Sequence, residues 1–563
     1  MRLWLRLVPI LLFLPVSFWA QRPTSVPSFD RGAFTITNWD LNVRIGAQEE
    51  SLSVRGHMQL RNDSPQPQRQ LSLQVSSSLK WAAIREQGQP LRFTNTRLRS
   101  DIDHTGYVQE ALITLSAPIP SGSSIDVEVG YSGTVSLDTT RLAQLGVPLG
   151  VRVSTDYDRI TPTFTCLRGV GHVIWFPVSI EPAVLGDANR VFELTGAWQV
   201  RHSLSSMKLE VTGDSGVTLF SNSESAPQAL GEAGVRLDWP HIGIAGPVLV
   251  AGNYKTTTAA SLSLAYFPTA ADAAADYARV VTETEPTLGG RQHRRVTLVD
   301  LPEASDITFD GDGILLLPLK TIDTKFLQLT LAYEFAHATL WSPRAWIYEG
   351  AAHFAQALMR ERQDRRAAAI DFMQQRLPPL ALADSGSPES VKSNSLINTT
   401  NEVFYRTKAM YVWWMLREII GERALLDGLQ QYDPAADKEA SYMQRLLEKT
   451  SHKDLEWFFD DWVYQDRGLP EFTITNGYAR PSLQGIYLVS ATIENSGSAA
   501  AEVPILVQTD TGEVMSRLRV PARSKAAARI EVGSRPTEVS VNDGSVPEAD
   551  RSDNTAPVKI GHE

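Results

Sequence analysis

With 563 residues, 43% apolar content and a formal charge of −11, the chain is too long for a single core and too apolar to be disordered, so two to four domains are expected. The acidic balance argues against a nucleic-acid or anionic-membrane partner. A single cysteine, Cys166, excludes an intramolecular disulfide and any cysteine-based zinc site, which leaves stability to packed cores.

The chain opens with Arg2 and Arg6, followed by an apolar run from Leu7 to Ala20 that Pro9 and Pro15 interrupt. That run is too short and too broken to span a bilayer stably. It reads as a secretory signal peptide over residues 1–20, cut near Ala20-Gln21, and predicts an exported protein, periplasmic or extracellular. An uncleaved N-terminal anchor is the only membrane association this leaves open. Cleavage would remove two arginines and no acid, taking the charge to −13.

From about residue 34 to 250 the pattern alternates with period two: Leu52, Val54, Gly56, Met58, Leu60, then Leu71, Leu73, Val75, then Ile125, Val127, Val129, Tyr131. Alternation punctuated by Asn-Asp-Ser-Pro and Pro-Ser-Gly clusters predicts antiparallel strands with one buried face. From about Tyr266 the period changes to three or four, predicting helices over 270–282, 324–341, 345–366, 402–420, 422–432 and 441–449. The polar stretch 383–400 is a surface loop. After Trp462 short apolar strands return between Gly, Pro and Ser turns, as in a small β-sandwich of about 80 residues. Residues 546–563 are polar and acidic and are expected to be disordered.

Chemistry concentrates on the predicted helix 324–341, which carries Tyr333-Glu334-Phe335-Ala336-His337. A catalytic zinc needs three protein ligands and an open position, and two histidines at i and i+4 of a helix supply two of them. A Glu after the first histidine then reaches the metal-bound water as general base. Glu334 and His337 stand at those positions, but Tyr333 occupies that of the first ligand. A phenol with a pKa of about 10 costs roughly 4 kcal/mol to hold as phenolate at neutral pH. On these residues alone, Tyr333 fits equally an apolar stripe with Phe326, Leu329, Ala336 and Leu340. The next predicted helix begins Trp346-Ile347-Tyr348-Glu349-Gly350-Ala351-Ala352 and supplies Glu349, a carboxylate where a third ligand belongs.

With both helices in view the chain resembles the membrane alanyl aminopeptidase family of gluzincin metallopeptidases, whose fingerprint is His-Glu-x-x-His followed by a Trp-Leu-x-Glu-Gly-Phe-Ala helix. The resemblance extends to Tyr131-Ser132-Gly133, Trp175-Phe176-Pro177, the segment from Lys408-Ala409 to Met415-Leu416, and Phe458-Phe459-Asp460-Asp461-Trp462. It implies a multidomain α+β protein. An N-terminal antiparallel β-domain would cover 30–255, a thermolysin-like, mostly helical metallopeptidase-like domain 256–468, and a C-terminal β-sandwich 469–545.

Four departures fall on the family's catalytic positions. The first is Tyr333. The second is spacing: the family places 18 residues between its second histidine and its ligand Glu, whereas 11 lie between His337 and Glu349. Strict counting would reach Gln356, a poorer ligand, so the local Trp-x-x-Glu-Gly match selects Glu349. Third, the Gly-x-Met-Glu-Asn strand that grips the substrate amine becomes Phe309-Asp310-Gly311-Asp312-Gly313, in which Asp310 can meet an ammonium group or make a turn. Fourth, the segment whose Tyr stabilises the oxyanion aligns with Arg406-Thr407-Lys408-Ala409, placing Arg406 at that position and Tyr405 beside it. Arg406 suits either an oxyanion or a ligand carboxylate. His353, four residues beyond Glu349, offers a substitute ligand set of His337, Glu349 and His353.

Two functions follow. One is a catalytically impaired relative, a pseudoenzyme that keeps a cleft for a peptide or protein ligand. The alternative is an active zinc metallopeptidase hydrolysing peptides with a substituted ligand set: His337 and Glu349, with Tyr333 or His353, and Glu334, Arg406 and Tyr405 in catalytic roles. Gly213-Asp214-Ser215-Gly216 imitates a serine-protease loop but lies between predicted strands without a His and Asp context.

Overall fold

The structure is a computed structural model that describes residues 29–187, 190–213, 218–231, 234–260, 262–290, 294–320, 323–383, 395–482 and 485–561. The signal-peptide segment 1–20, residues 214–217 of the serine-protease-like turn and 384–394 of the polar stretch lie outside the described residues.

The period-two pattern produces the N-terminal sheets. Strands Phe34–Gly46, Ser51–Asn62 and Ser124–Thr134 form the middle of an eight-stranded sheet, where Val43 pairs with Val54 and Trp39 with Met58. Leu41, Val43, Leu52, Val54, Met58 and Leu60 are buried on one face. Gly56 is required there because a Cβ would stand 2.1 Å from the Asp40 carbonyl oxygen.

This sheet departs from the antiparallel expectation. Phe34–Gly46 pairs in parallel with Ser206–Thr212, with Asn38 opposite Ser206 and Arg44 opposite Thr212. The helix Arg190–His202 precedes the second strand, and its Trp198 and His202 are buried. His202 accepts the Ile36 N–H at 3.3 Å, tying helix to sheet. One alternating strand reads alike in either orientation, and orientation depends on a partner far along the chain.

The central region combines a five-stranded mixed sheet with helices. Its strands run in the order Lys255–Ala259, Leu262–Tyr266, Val296–Asp300, Ile314–Leu317 and Phe309–Asp310. The helix Thr324–Thr339 is capped by the Asp323 side chain, which accepts the Phe326 N–H at 3.0 Å. It is buried on two sides: Leu327, Leu331, Phe335 and Ala338 pack toward the sheet, while Tyr333, Ala336 and Leu340 join the helical core. Phe326, placed in the apolar stripe from sequence, is 52% exposed.

The next helix, Ala345–Gln374, passes the predicted end at 366, with a kink at Asp364 and Arg365, where Arg365 has φ of 68°. Helix Ala409–Ile420 follows a wide π-helical turn, Val403–Lys408. Helices Ala271–Glu283, Glu422–Gln430 and Tyr442–Ser451 lie within two residues of their expected bounds.

Two four-stranded sheets close the chain, in the orders Ser524–Val532, Tyr487–Asn495, Phe472–Pro481, Lys559–Ile560 and Gly512–Val520, Ala501–Thr509, Pro536–Val541, Thr555–Pro557. The segment expected to be disordered from 546 is packed here, as far as residue 561. Val546 and Glu548 are buried, Thr555–Pro557 pairs with Pro536–Val541, and Lys559–Ile560 pairs with Phe472–Pro481. Its acidic composition misled because Glu548 is an internal acceptor, bonded to Phe472 N–H and the Asn542 and Asn554 amides. The central helices and this sandwich share one apolar core, and Trp462 reaches across to donate to the Ala500 carbonyl at 2.8 Å.

Candidate functional site

The two sequence-predicted helices meet around Glu349. Gly350 lets the Ala345–Gln374 helix approach Ala409–Ile420, since a Cβ at 350 would stand 2.5 Å from that of Ala409. Glu349 is thereby buried opposite His337, with Glu349 Oε1 3.7 Å from His337 Nε2. The local motif rather than strict spacing locates the carboxylate: Gln356 Oε1 instead accepts a hydrogen bond from His353 Nδ1 at 3.0 Å, on the cavity wall.

Tyr333 does not point away from this pair. Its hydroxyl donates to Glu349 Oε2 at 2.9 Å, and the same oxygen accepts from Arg406 Nε at 3.0 Å. Burial, and next the Glu349 charge, push the Tyr333 pKa well above its ordinary value, so the phenol stays protonated. Burial alone would raise Glu349, but Arg406 and then the surrounding groups outweigh it and hold the carboxyl below its usual range.

His337 is enclosed. Its ring stacks on Tyr348 with centroids 4.0 Å apart, and its Nδ1 is 3.6 Å from Asp312 Oδ1. Among the described residues neither ring nitrogen has a hydrogen-bond partner. Burial lowers its pKa despite the nearby carboxylates, leaving a neutral imidazole with free lone-pair capacity.

Asp312, Arg294 and Tyr348 form a second polar cluster. Asp312 adopts φ of 59°, pairs with Arg294 at 2.5 Å and accepts the Tyr348 hydroxyl. The segment quoted from sequence already contained Asp312, but nothing in it revealed Arg294 or that the turn faces His337.

Asp310 and Glu334 form a carboxyl pair. Glu334 is fully buried and accepts the Gly313 N–H at 3.2 Å. Burial pushes Glu334 up to about 7, against a hydrogen bond from Asp310. Asp310 is raised well above the carboxylate range by burial and by Glu334. Asp310 also lines the cavity wall.

The π-helical turn separates the two neighbouring oxyanion candidates. Arg406 lines the cavity, whereas Tyr405 is fully buried in the helical core and does not line it. The two neighbours diverge because the extra residue of a π turn rotates side chains relative to an α-helical count. Arg406 also pairs with Glu402 at 3.2 Å.

The cavity these residues line has a volume of about 360 Å³. Its wall combines Arg406, Asp310, His353 and Gln199 with the apolar Val170 and Ile244. His172, unsuspected from sequence, also lines it, packed edge-on against Phe309 with ring centroids 5.2 Å apart.

The residues do not fit the zinc that the family resemblance implies. Tetrahedral zinc sites need lone-pair donors at about 2.0–2.2 Å from the metal. His337 and Glu349 provide two donors, but the hydroxyl at the third position is spent as a donor to Glu349, beside a guanidinium. The Tyr333 ring lies 4.3 Å from that of His337 and 5.2 Å from that of His353, wedged against both members of the substitute pair. Among the described residues no group of three His, Cys, Asp or Glu is arranged to hold a metal ion.

No protein-family model matches the sequence, and no curated protein matches it. Among solved structures, the M1 zinc metallopeptidase of Deinococcus radiodurans is 14% identical with a TM-score of 0.46, over 78% of this chain and 96% of that one. Aminopeptidase A of Legionella pneumophila, in complex with aspartic acid, is 12% identical with a TM-score of 0.57, over 95% of this chain. The match spans 60% of the Legionella chain's length. At that identity the likeness shows the fold alone: the chain is a multidomain α+β protein that shares the fold of the matched part of the Legionella aminopeptidase.

Proposed function

We propose that this chain is an exported, catalytically impaired relative of the zinc aminopeptidases, which retains the cleft and uses it to bind a peptide or protein ligand in the periplasm or outside the cell. The observation that carries the reading is Tyr333, at the first-ligand position, donating a hydrogen bond to the very carboxylate that would hold the metal. Catalytic zinc draws both its affinity and its activated water from a complete ligand set. Glu334, the general base of such a site, is here fully buried and engaged with Asp310 and Gly313. A cavity of about 360 Å³ with mixed polar and apolar walls suits one or two residues of a peptide. Export is supported by the Arg2 and Arg6 leader and its broken apolar run.

A second reading, an active zinc metallopeptidase with substituted ligands, is favoured by one observation. His337 Nε2, without a hydrogen-bond partner among the described residues, stands 3.7 Å from Glu349 Oε1, close to the roughly 3.3 Å between neighbouring donors on tetrahedral zinc.

Metal content, hydrolysis and peptide binding of the purified protein separate the two. The expected result is substoichiometric zinc, no hydrolysis of aminoacyl or peptide reporters, and binding of short peptides that Ala245→Trp, filling the cavity wall, weakens at least tenfold. One zinc per chain together with hydrolysis that disappears in His337→Ala would establish the second reading instead.

A further inference from the structure

Glu349 is a buried carboxylate, and a buried charge persists only where something compensates it. We infer that Arg406, with the Tyr333 hydroxyl, takes the electrostatic place of a divalent cation beside Glu349, so that the site is satisfied without metal and restoring a histidine at 333 is not sufficient to create a zinc site. This rests on the impaired-relative reading and assigns a compensating pair to it.

Three features support the assignment. Both donors converge on one oxygen, Glu349 Oε2, from Tyr333 at 2.9 Å and Arg406 Nε at 3.0 Å. Arg406 is held from its other side by Glu402 at 3.2 Å, so the guanidinium is fixed between two carboxylates. The side chain comes off the π-helical turn Val403–Lys408, the local irregularity that sends Tyr405 into the core and Arg406 toward Glu349.

The charge arithmetic is unfavourable for a dication. An arginine does not give up its proton in a protein. A divalent ion approaching Glu349 Oε1 would meet a neutral His337, one carboxylate already neutralised, and a permanent positive charge. Tyr333→His would supply a lone pair but leave that charge in place.

The test uses the full mature protein and two readouts. Zinc retained after dialysis is measured for the wild type, Tyr333→His, Arg406→Gln and the double variant. About one zinc per chain is expected in the double variant alone, with a melting temperature that rises on zinc addition. Stoichiometric zinc in Tyr333→His alone, or a folded double variant that stays metal-free, overturns the inference.

Thermal unfolding without metal gives an independent arm that needs no double variant with His at 333. Arg406→Gln should lower the melting temperature, and adding Glu349→Gln should recover most of that loss, because the uncompensated charge is removed. No loss in Arg406→Gln, or no recovery with Glu349→Gln, overturns the assignment. Charge compensation present with no peptide bound would instead remove the peptide-binding function and leave this inference standing.

Discussion

Glu334 shows how a residue that matches a catalytic fingerprint can be occupied by other work. Its carboxyl is pushed up to about 7, chiefly by burial. A raised carboxyl means that folding favours the protonated form, so its contribution is fully present below about pH 4.5 and is lost as pH rises toward 7. Glu334→Gln mimics the protonated state. It should leave stability at pH 4 nearly unchanged and raise it by about 1–3 kcal/mol at pH 8, measured by urea unfolding at both values. Equal effects at the two pH values would show that folding leaves the Glu334 pKa unshifted. Tyr333, Glu334 and His337 were legible from their spacing on one helix, and Glu349 from the local Trp-x-x-Glu-Gly resemblance. What each one bonds to was not, because a hydrogen bond such as Tyr333 to Glu349 links different helices.

At the scale of elements, the site depends on how closely two helices approach. Gly350 is the contact: a Cβ there would fall 2.5 Å from Ala409 Cβ and 3.1 Å from Trp413 Nε1. Trp413 stacks on Trp346 with centroids 5.2 Å apart and donates to the Trp346 carbonyl at 3.2 Å, so little around Gly350 can yield. Gly350→Ala should therefore cost about 1–3 kcal/mol of stability by overpacking, despite alanine's better helix propensity. A melting temperature at or above that of the wild type would show that the helices have room to separate. The helices themselves followed from apolar periodicity, because burial on one face repeats every three or four residues. The kink at Asp364 and Arg365 and the π turn at Val403–Lys408 did not, since neither changes the composition of the segment that contains it.

For the molecule as a whole, the terminal segment is structural. Glu548 bonds three donors from separate segments, and Arg366 joins Glu418 on a central helix to Asp543 of the sandwich, at 2.6 and 2.9 Å. Deleting residues 546–563 should lower the melting temperature by several degrees, and the loss should reach the helical region because both share a core. Calorimetry of the truncated chain measures this, and an unchanged transition would make the segment dispensable. Composition failed at this segment because polarity signals disorder only when the polar groups find no partners inside the fold.

The amino-acid sequence by itself determined the change from period two to period three or four near Tyr266 and the placing of Tyr333, Glu334 and His337 on one helix, while the resemblance it carries pointed to the multidomain α+β architecture and to Glu349 and Arg406. These are local properties, carried by periodicity or by a short motif within one segment. Only the tertiary structure decided the parallel pairing of Phe34–Gly46, the packing of residues 546–561, and the pairing of Glu349 with Tyr333 and Arg406 rather than with an open ligand position. Each of those is a contact between residues far apart in the chain, and a pattern within one segment carries no information about its distant partner.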